Sequence, residues 1–157
     1  MSLEFRADLK KRIEEITARY PSRQAALLPV LHLVQSETGF LSAEEERAVA
    51  LILGIPPIKV REVVTFYTMF TRKPLGRFHL QVCSNLSCSL AAGERILRHL
   101  QAKLGIGVGE TSPDGKYTLT EVECMGACEQ APCMMVNFDY HGNLDPEKVD
   151  RILEELK

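Results

Sequence analysis

The sequence reads Val82-Cys83-Ser84-Asn85-Leu86-Ser87-Cys88 in one stretch and Glu123-Cys124-Met125-Gly126-Ala127-Cys128-Glu129 in another. The two stretches, Cys-x₄-Cys and Cys-x₃-Cys, contain four of the five cysteines of the chain. A [2Fe–2S] cluster is held by four cysteine thiolates, and a protein-bound cluster of this kind carries electrons rather than transforming a substrate. The layout therefore predicts one [2Fe–2S] cluster on two facing loops. Its predicted ligands are Cys83, Cys88, Cys124 and Cys128.

Other cysteine chemistries fit this spacing less well, although a zinc site and a redox disulfide both remain alternatives. Structural zinc usually uses Cys-x₂-Cys knuckles, and both loops here are longer. A redox disulfide would place Cys-x-x-Cys at a strand-to-helix corner, where this chain has four intervening residues. A [4Fe–4S] ferredoxin shows Cys-x₂-Cys-x₂-Cys. The plant-type [2Fe–2S] pattern begins correctly with Cys83 and Cys88 but then meets Ala91.

The fifth cysteine, Cys133, lies only five positions beyond Cys128. It could therefore substitute as a ligand. Pro132 begins a predicted strand at this point, and a free cysteine is among the residues most often buried in a core. We expect Cys133 to be a small buried side chain rather than a ligand.

The composition is that of a folded globular protein. The chain has 157 residues, of which 45% are hydrophobic and 25% charged, and its net charge of −2 gives no indication of a nucleic-acid or acidic-membrane surface. The N-terminus lacks the apolar core of a signal peptide, and no apolar run approaches the ~20 residues that span a bilayer. We therefore expect a cytoplasmic protein without direct membrane insertion, whose cysteines are metal ligands or catalysts rather than disulfides.

The first half of the chain has helical periodicity, with a first apolar stripe at Leu3, Leu9, Ile13, Ile16 and Tyr20. Ser22 is the expected cap of the next helix, in which Pro29 should cause a kink. A capping-box sequence at Ser42 opens a third helix, which should close at Gly54. The four predicted segments are 3–20, 22–36, 42–54 and 57–70. Short helices joined by brief turns predict a four-helix bundle over residues 1–71.

The second half changes to alternating strand patterns after a charged Pro/Gly linker. A hairpin turn is expected at His141-Gly142-Asn143, before a last helix capped by Asp145. The predicted strands are 77–83, 117–123 and 133–138, with a helix over 89–104. The order β-α-β-β-β-α predicts a thioredoxin-like domain with a mixed sheet over residues 72–157, so that the whole chain is α+β.

The predicted elements place the four candidate ligands at one end of this sheet. Cys83 and Cys124 each end a strand, and Cys88 precedes a helix N-terminus, whose free N–H groups suit a negatively charged cluster. Gly126 should bend the second loop and bring N–H groups near the sulfurs, which tunes the cluster potential. Gly105-x-Gly107-x-Gly109 follows a helix instead of opening one, so it is no dinucleotide fingerprint. The sequence therefore predicts no nicotinamide or flavin site and no catalytic residue of its own.

Four motifs in order resemble one known family. They are Val-Cys83-Ser-Asn-Leu-Ser-Cys88, Gly-Ile-Gly-Val-Gly-Glu-Thr-Ser-Pro-Asp-Gly115, Val-Glu-Cys124-Met-Gly-Ala-Cys128-Glu-Gln-Ala-Pro132 and Asn143-Leu-Asp-Pro-Glu-Lys-Val-Asp150. Together they are similar to the 24 kDa subunits of respiratory complex I, the E subunits of bacterial NADH:quinone oxidoreductase. The resemblance implies a helical bundle followed by a thioredoxin-like ferredoxin domain with one [2Fe–2S] cluster. It maps the family's ligands onto Cys83, Cys88, Cys124 and Cys128, and relatives typically carry an aliphatic residue at Cys133.

The resemblance also implies partners. A flavoprotein subunit would bind FMN and NADH, other peripheral-arm subunits would surround it, and the complex would hold this chain at the cytoplasmic side of the inner membrane. The chain would then exchange single electrons with FMN as a non-catalytic subunit of the oxidoreductase. Similar subunits serve NAD-linked formate dehydrogenases and bidirectional hydrogenases, which is the first alternative. A Cys₄ zinc interaction module is the second.

Overall fold

A computed structural model describes residues 5–156, and the chain divides into two compact units, Met1–Pro74 and Leu75–Lys157. Leu3, the first member of the predicted apolar stripe, lies outside the described residues. The described residues form seven α-helices and one mixed four-stranded sheet, which agrees with the combination of helices and a mixed sheet expected from the sequence. Among these residues no helix is both long enough and apolar enough to cross a membrane.

The part of the first unit that the structure describes contains four α-helices. They are α1 (Ala7–Thr17), α2 (Leu27–Thr38), α3 (Ala43–Leu53) and α4 (Pro57–Phe66). The apolar stripes of these helices share one core, in which Ile13, Leu31 and Val49 are fully buried. Burial of such side chains contributes roughly 1.5–3 kcal/mol each, so this core accounts for the helical arrangement of the first unit.

The first two helices are shorter than predicted. Helix α1 ends at Thr17, and Tyr20, which we placed on its buried stripe, is 40% exposed. Ser22 accepts a hydrogen bond from the Ala25 N–H at 3.2 Å, but it caps a turn before α2 rather than the helix itself. The expectation of a kink at Pro29 was wrong. Pro29 lies in the first turn of α2, where backbone N–H groups have no intrahelical acceptor, so the missing N–H of proline breaks no hydrogen bond.

Helix α3 begins and ends as predicted. Ser42 accepts a hydrogen bond from the Glu44 N–H at 3.0 Å, and its own N–H donates to the Glu45 carboxylate at 2.8 Å, which completes the capping box. Gly54 closes the helix in the left-handed conformation. Helix α4 stops at Phe66 instead of residue 70, since the backbone becomes extended at Tyr67.

The second unit is a sheet with helices. Its helices are α5 (Leu86–Leu90), α6 (Gly93–Leu104) and α7 (Pro146–Glu155), and its strands are β1 (Phe78–Cys83), β2 (Tyr117–Val122), β3 (Met134–Val136) and β4 (Asp139–His141). The strand order is β2-β1-β3-β4, with β1 parallel to β2 and the other neighbours antiparallel. Leu80, Leu119 and Met134 of the sheet are fully buried in a core shared with the apolar faces of α6 and α7.

The helix predicted over 89–104 is in fact two helices. The chain turns between α5 and α6 at Ala92, which adopts a left-handed φ of 67°. The turn brings Gly93 against the cysteine segment, where a Cβ would lie 2.8 Å from the Cys88 carbonyl oxygen. Only glycine fits such a backbone approach. A close contact with the first cysteine stretch therefore decides where the long helix begins.

The hairpin at the edge of the sheet also differs from the prediction. The chain reverses at Asn137-Phe138, between the paired residues Val136 and Asp139, whereas His141 belongs to β4. Asn137 takes a φ of 54°, a conformation that asparagine tolerates better than most residues. Phe138, the last residue of the predicted strand 133–138, is consequently in the turn and 92% exposed.

Candidate metal centre

The two cysteine stretches meet at one end of the sheet because β1 and β2 are parallel neighbours. Cys83 is the last residue of β1 and pairs with Val122, the last residue of β2. Cys124 follows two positions later, in the loop that leaves β2. Carboxyl ends of parallel strands lie at the same edge of a sheet, so the connectivity of the second unit brings both stretches to the same place.

Cys88 lies inside helix α5, not before a helix N-terminus as predicted. Asn85 caps this short helix, accepting a hydrogen bond from the Leu86 N–H at 2.8 Å. The Cys88 side chain is 2% exposed, and that of Cys83 is 4% exposed. The first stretch thus holds both of its thiols in the interior of the second unit.

A third thiol joins them. The sulfur atoms of Cys83, Cys88 and Cys133 all lie within 4.8 Å of one another. The Cys83 N–H donates to the Cys133 carbonyl at 3.2 Å, and the Cys88 and Cys133 sulfurs are 3.6 Å apart. Within residues 5–156 this is the only set of three or more potential ligand side chains that the fold gathers so closely. We call these three residues the trithiol group.

The second stretch forms an exposed loop over this group. Cys124 and Cys128 are exposed and do not belong to the trithiol group, whereas Met125 and Ala127 pack against it. Gly126 has a φ of 72°, and its N–H donates to the Cys124 sulfur at 3.3 Å. The loop therefore provides an N–H···S contact at the position where one was expected.

A hydrogen bond from Tyr140 connects the same loop to the sheet. The Tyr140 hydroxyl, on strand β4, donates to the Met125 carbonyl at 3.2 Å. The sequence did not predict this contact, because the hairpin of β3 and β4 is what places Tyr140 beside the loop. The Cys124–Cys128 loop is thus held from within, at Gly126, and from the edge strand.

The electrostatics of the buried thiols follow from their environment. Burial raises the pKa of Cys88, and burial together with the neighbouring Cys88 and Cys83 thiols raises the pKa of Cys133 to about 12. Desolvation penalises the charged thiolate more than the neutral thiol. A bound metal reverses this preference, because a coordinating thiol is deprotonated by the positive charge of the ion.

The residues present fit a [2Fe–2S] cluster by their chemistry. Two buried thiols and two exposed ones lie on segments that pack against each other at one end of the sheet. Cluster irons take cysteine sulfur as their ligand, and N–H···S contacts such as that from Gly126 are among the features that set cluster potentials. The structure therefore brings Cys83 and Cys88 together and places the Cys124–Cys128 loop above them.

The environment of Cys133 was predicted only in part. Its burial, at 2% exposure, is the expected core environment, but its contact with Cys83 and Cys88 was not foreseen. The contact follows from the pairing of β1 with β3. The antiparallel register that sets Val82 opposite Met134 puts Cys133 beside Cys83. The register of a three-residue strand cannot be read from the sequence alone.

Comparison with known proteins identifies the family. The model of thioredoxin-like [2Fe–2S] ferredoxins matches residues 13–157. An E subunit (the second of that name) of the NADH-quinone oxidoreductase of Rhizobium meliloti is 50% identical over 149 residues, which are 95% of this chain and 89% of that relative. The mitochondrial NADH dehydrogenase (ubiquinone) flavoprotein 2 of Dictyostelium discoideum is 42% identical over 149 residues, and these cover 93% of this chain but 60% of the longer relative.

Solved structures agree on the fold. An NAD⁺-reducing [NiFe]-hydrogenase in the air-oxidized state superposes with a TM-score of 0.72 at 24% identity, over 83% of this chain and 22% of that one. At this identity the likeness concerns architecture alone. The family match over most of the chain, with the high identity to the Rhizobium protein, is decisive: the chain belongs to the family of thioredoxin-like [2Fe–2S] ferredoxins that includes the E subunits of NADH-quinone oxidoreductases.

Proposed function

We propose that this chain is the electron-transfer subunit of an NADH:quinone oxidoreductase, with one [2Fe–2S] cluster held by Cys83, Cys88, Cys124 and Cys128. The observation that carries the proposal is the meeting of both cysteine stretches at the carboxyl ends of β1 and β2. When bound, the cluster supplies one-electron chemistry. The cysteine sulfurs hold it, and the surrounding residues set how strongly it holds an electron.

The four proposed ligands and the residues around them would have different roles. Cys83 and Cys88 would hold the cluster from the buried side, where burial excludes water. Cys124 and Cys128 would hold it from the exposed loop, which leaves that side accessible to a partner. Gly126 donates its N–H to the Cys124 sulfur, and a donor at a sulfur stabilises the more negative, reduced state. Glu123 and Glu129 flank the loop and are exposed, so their charges favour the oxidised state.

The electron partner is inferred from redox chemistry. NADH gives up two electrons as a hydride, whereas an iron–sulfur cluster passes one electron at a time. A flavin accepts two electrons and releases them singly, so we infer that a flavoprotein subunit with FMN and NADH docks where Cys124 and Cys128 are exposed. Other peripheral-arm subunits would complete the complex and hold it at the cytoplasmic side of the inner membrane.

The two compact units have separate roles in this proposal. Residues 72–157 would be the thioredoxin-like [2Fe–2S] domain, and residues 1–71 a four-helix bundle whose surface extends the contact with the flavoprotein. Leu51, Ile58 and Phe66 of the helical unit are between 60% and 79% exposed, which supports the second role because a partner that covers apolar side chains removes them from water.

A second candidate rests on the architectural likeness to the hydrogenase. The same module would then serve as the diaphorase subunit of an NAD-linked hydrogenase or formate dehydrogenase. The cluster and its ligands would be identical. The subunits that co-purify with the chain from its native source distinguish the two candidates.

Metal analysis tests the central proposal. The chain purified without oxygen should be red-brown and contain about two irons and two acid-labile sulfides, because four thiolates hold one [2Fe–2S] cluster. The measurement is iron and sulfide content per chain together with the visible spectrum. Stoichiometric zinc without iron would instead identify a zinc interaction module.

A further inference from the structure

The trithiol group is a site of its own when the cluster is absent. Three thiols are gathered within 4.8 Å, two of them 3.6 Å apart, and all three residues are at most 4% exposed. No carboxylate or imidazole joins them in the part of the chain that the structure describes. The group is therefore a three-sulfur site in a dry environment, not half of a mixed-ligand metal site.

The charge that such a site can hold restricts its ligand. A monovalent or divalent cation bound by three thiolates leaves a net negative charge buried, which is costly without a compensating partner. A trivalent thiophilic centre bound by three thiolates leaves no net charge. Each thiol also loses its proton when its sulfur binds, so the incoming species should carry oxygen atoms that accept these three protons.

Arsenous acid meets each of these requirements. We propose that the cluster-free chain binds one trivalent arsenic through Cys83, Cys88 and Cys133. Three S–H bonds and three As–O bonds break, and three As–S bonds and three water molecules form. No electron is transferred, and both the entering molecule and the product are uncharged. The site thus takes a neutral trivalent metalloid oxyacid without burying a charge.

The site competes with the cluster for two residues. This consequence rests on the proposed ligand assignment, in which Cys83 and Cys88 also bind iron. A cluster in place would block arsenic, and arsenic in place would leave only Cys124 and Cys128 for iron. Cys133 is not a proposed cluster ligand, and it supplies the third thiol of the arsenic site.

Native mass spectrometry of the full-length chain tests the proposal, with arsenite as the probe. The cluster-free chain should gain one arsenic in place of three hydrogens. The Cys133→Val chain should lose that adduct, because two sulfurs can replace only two of the three hydroxyls, and arsenic held by them keeps its third hydroxyl and gives a different mass. The double variant Cys124→Ser/Cys128→Ser should keep it, since its trithiol group is intact. Survival of the adduct that replaces three hydrogens in Cys133→Val, or its disappearance in the double variant, would overturn the site.

Two further measurements keep the outcomes separate. Circular dichroism checks that Cys133→Val is folded, and Cys133→Ser replaces it if it is not. Arsenite added to the cluster-loaded chain should give no adduct. If the loaded chain reacts while its visible spectrum stays unchanged, the shared use of Cys83 and Cys88 is wrong, although the trithiol site of the cluster-free chain would stand on its own adduct.

Discussion

The roles of single cysteines can be separated by substitution. Replacing any of the four proposed ligands by alanine should abolish or severely destabilise the cluster, because one iron would lack a thiolate. Cys133→Val should retain it and lower the free energy of unfolding by less than ~1.5 kcal/mol, as a near-isosteric exchange in a core. Visible absorption after anaerobic reconstitution and urea unfolding measure the two effects. Loss of the absorption in Cys133→Val would mean that the proposed ligand assignment is wrong.

A second residue-scale prediction concerns His79. Its imidazole is half-buried on β1, 2.8 Å from the Thr120 hydroxyl, and burial lowers the pKa of His79 below the ordinary value. The unfolded chain therefore takes up this proton at a higher pH than the folded chain does. Stability should accordingly fall as the pH drops through the ordinary histidine pKa of about 6.5 and level off below the folded pKa.

The contribution of His79 is isolated by comparison with His79→Gln, which retains a polar side chain and does not titrate. Urea unfolding from about pH 7.5 to about pH 5.5, across the histidine range, should show a smaller loss of stability in His79→Gln than in the wild-type chain. Equal losses in the two chains would assign the pH dependence to other groups.

At the scale of elements, the conformation of the Cys124–Cys128 loop depends on Gly126. Its φ of 72° is unfavourable for any residue with a Cβ, although no atom lies within 4 Å of the Cβ position. Gly126→Ala should therefore cost about 1–2 kcal/mol through strain. The strain should also weaken the N–H···S contact to Cys124, which lowers the reduction potential and speeds loss of iron to a chelator.

The matched control is Gly115→Ala. Gly115 has a φ of 69° and similarly open space, but it lies in the turn before β2. The same strain should reduce stability by a comparable amount and leave the potential unchanged. Potentiometric titration and chelator-induced bleaching distinguish the two variants. A shifted potential in Gly115→Ala would show that general destabilisation, not the loop contact, governs the cluster.

At the scale of the whole molecule, the chain should be active only as a subunit. It offers thiol ligands for a one-electron centre, and hydride transfer from NADH needs a two-electron acceptor. The purified, cluster-loaded chain should show no NADH oxidation with an artificial acceptor, and electrons from NADH should reach its cluster only after the flavoprotein is added. The measurement is the bleaching of the visible cluster absorption under anaerobic NADH. Turnover by the single chain, free of flavin, would contradict the subunit role.

Much of this fold depends on local sequence. The capping box at Ser42, the left-handed closure at Gly54 and the Asp145 cap of α7, which accepts from the Lys148 N–H at 2.6 Å, were predictable because each depends on residues a few positions apart. The spacing of the two cysteine pairs predicted a [2Fe–2S] cluster, since it matches the ligand requirement of a cluster, and four motifs in order carried the resemblance to the family. The mixed sheet was predicted from the order of strand and helix patterns along the second half of the chain.

Long-range contacts decided the rest. The sequence could not place the break between α5 and α6, because that break serves the approach of Gly93 to the Cys88 carbonyl. Nor could it locate the hairpin turn at Asn137-Phe138 or the register that brings Cys133 beside Cys83. The hydrophobic period and the capping residues specify whether a segment forms a helix or a strand. The strand register and the close approach of two backbones depend instead on the packing of the whole unit. The local sequence by itself therefore determined the helix caps and favoured an iron–sulfur centre over the other cysteine chemistries, and only the tertiary structure gathered the trithiol group.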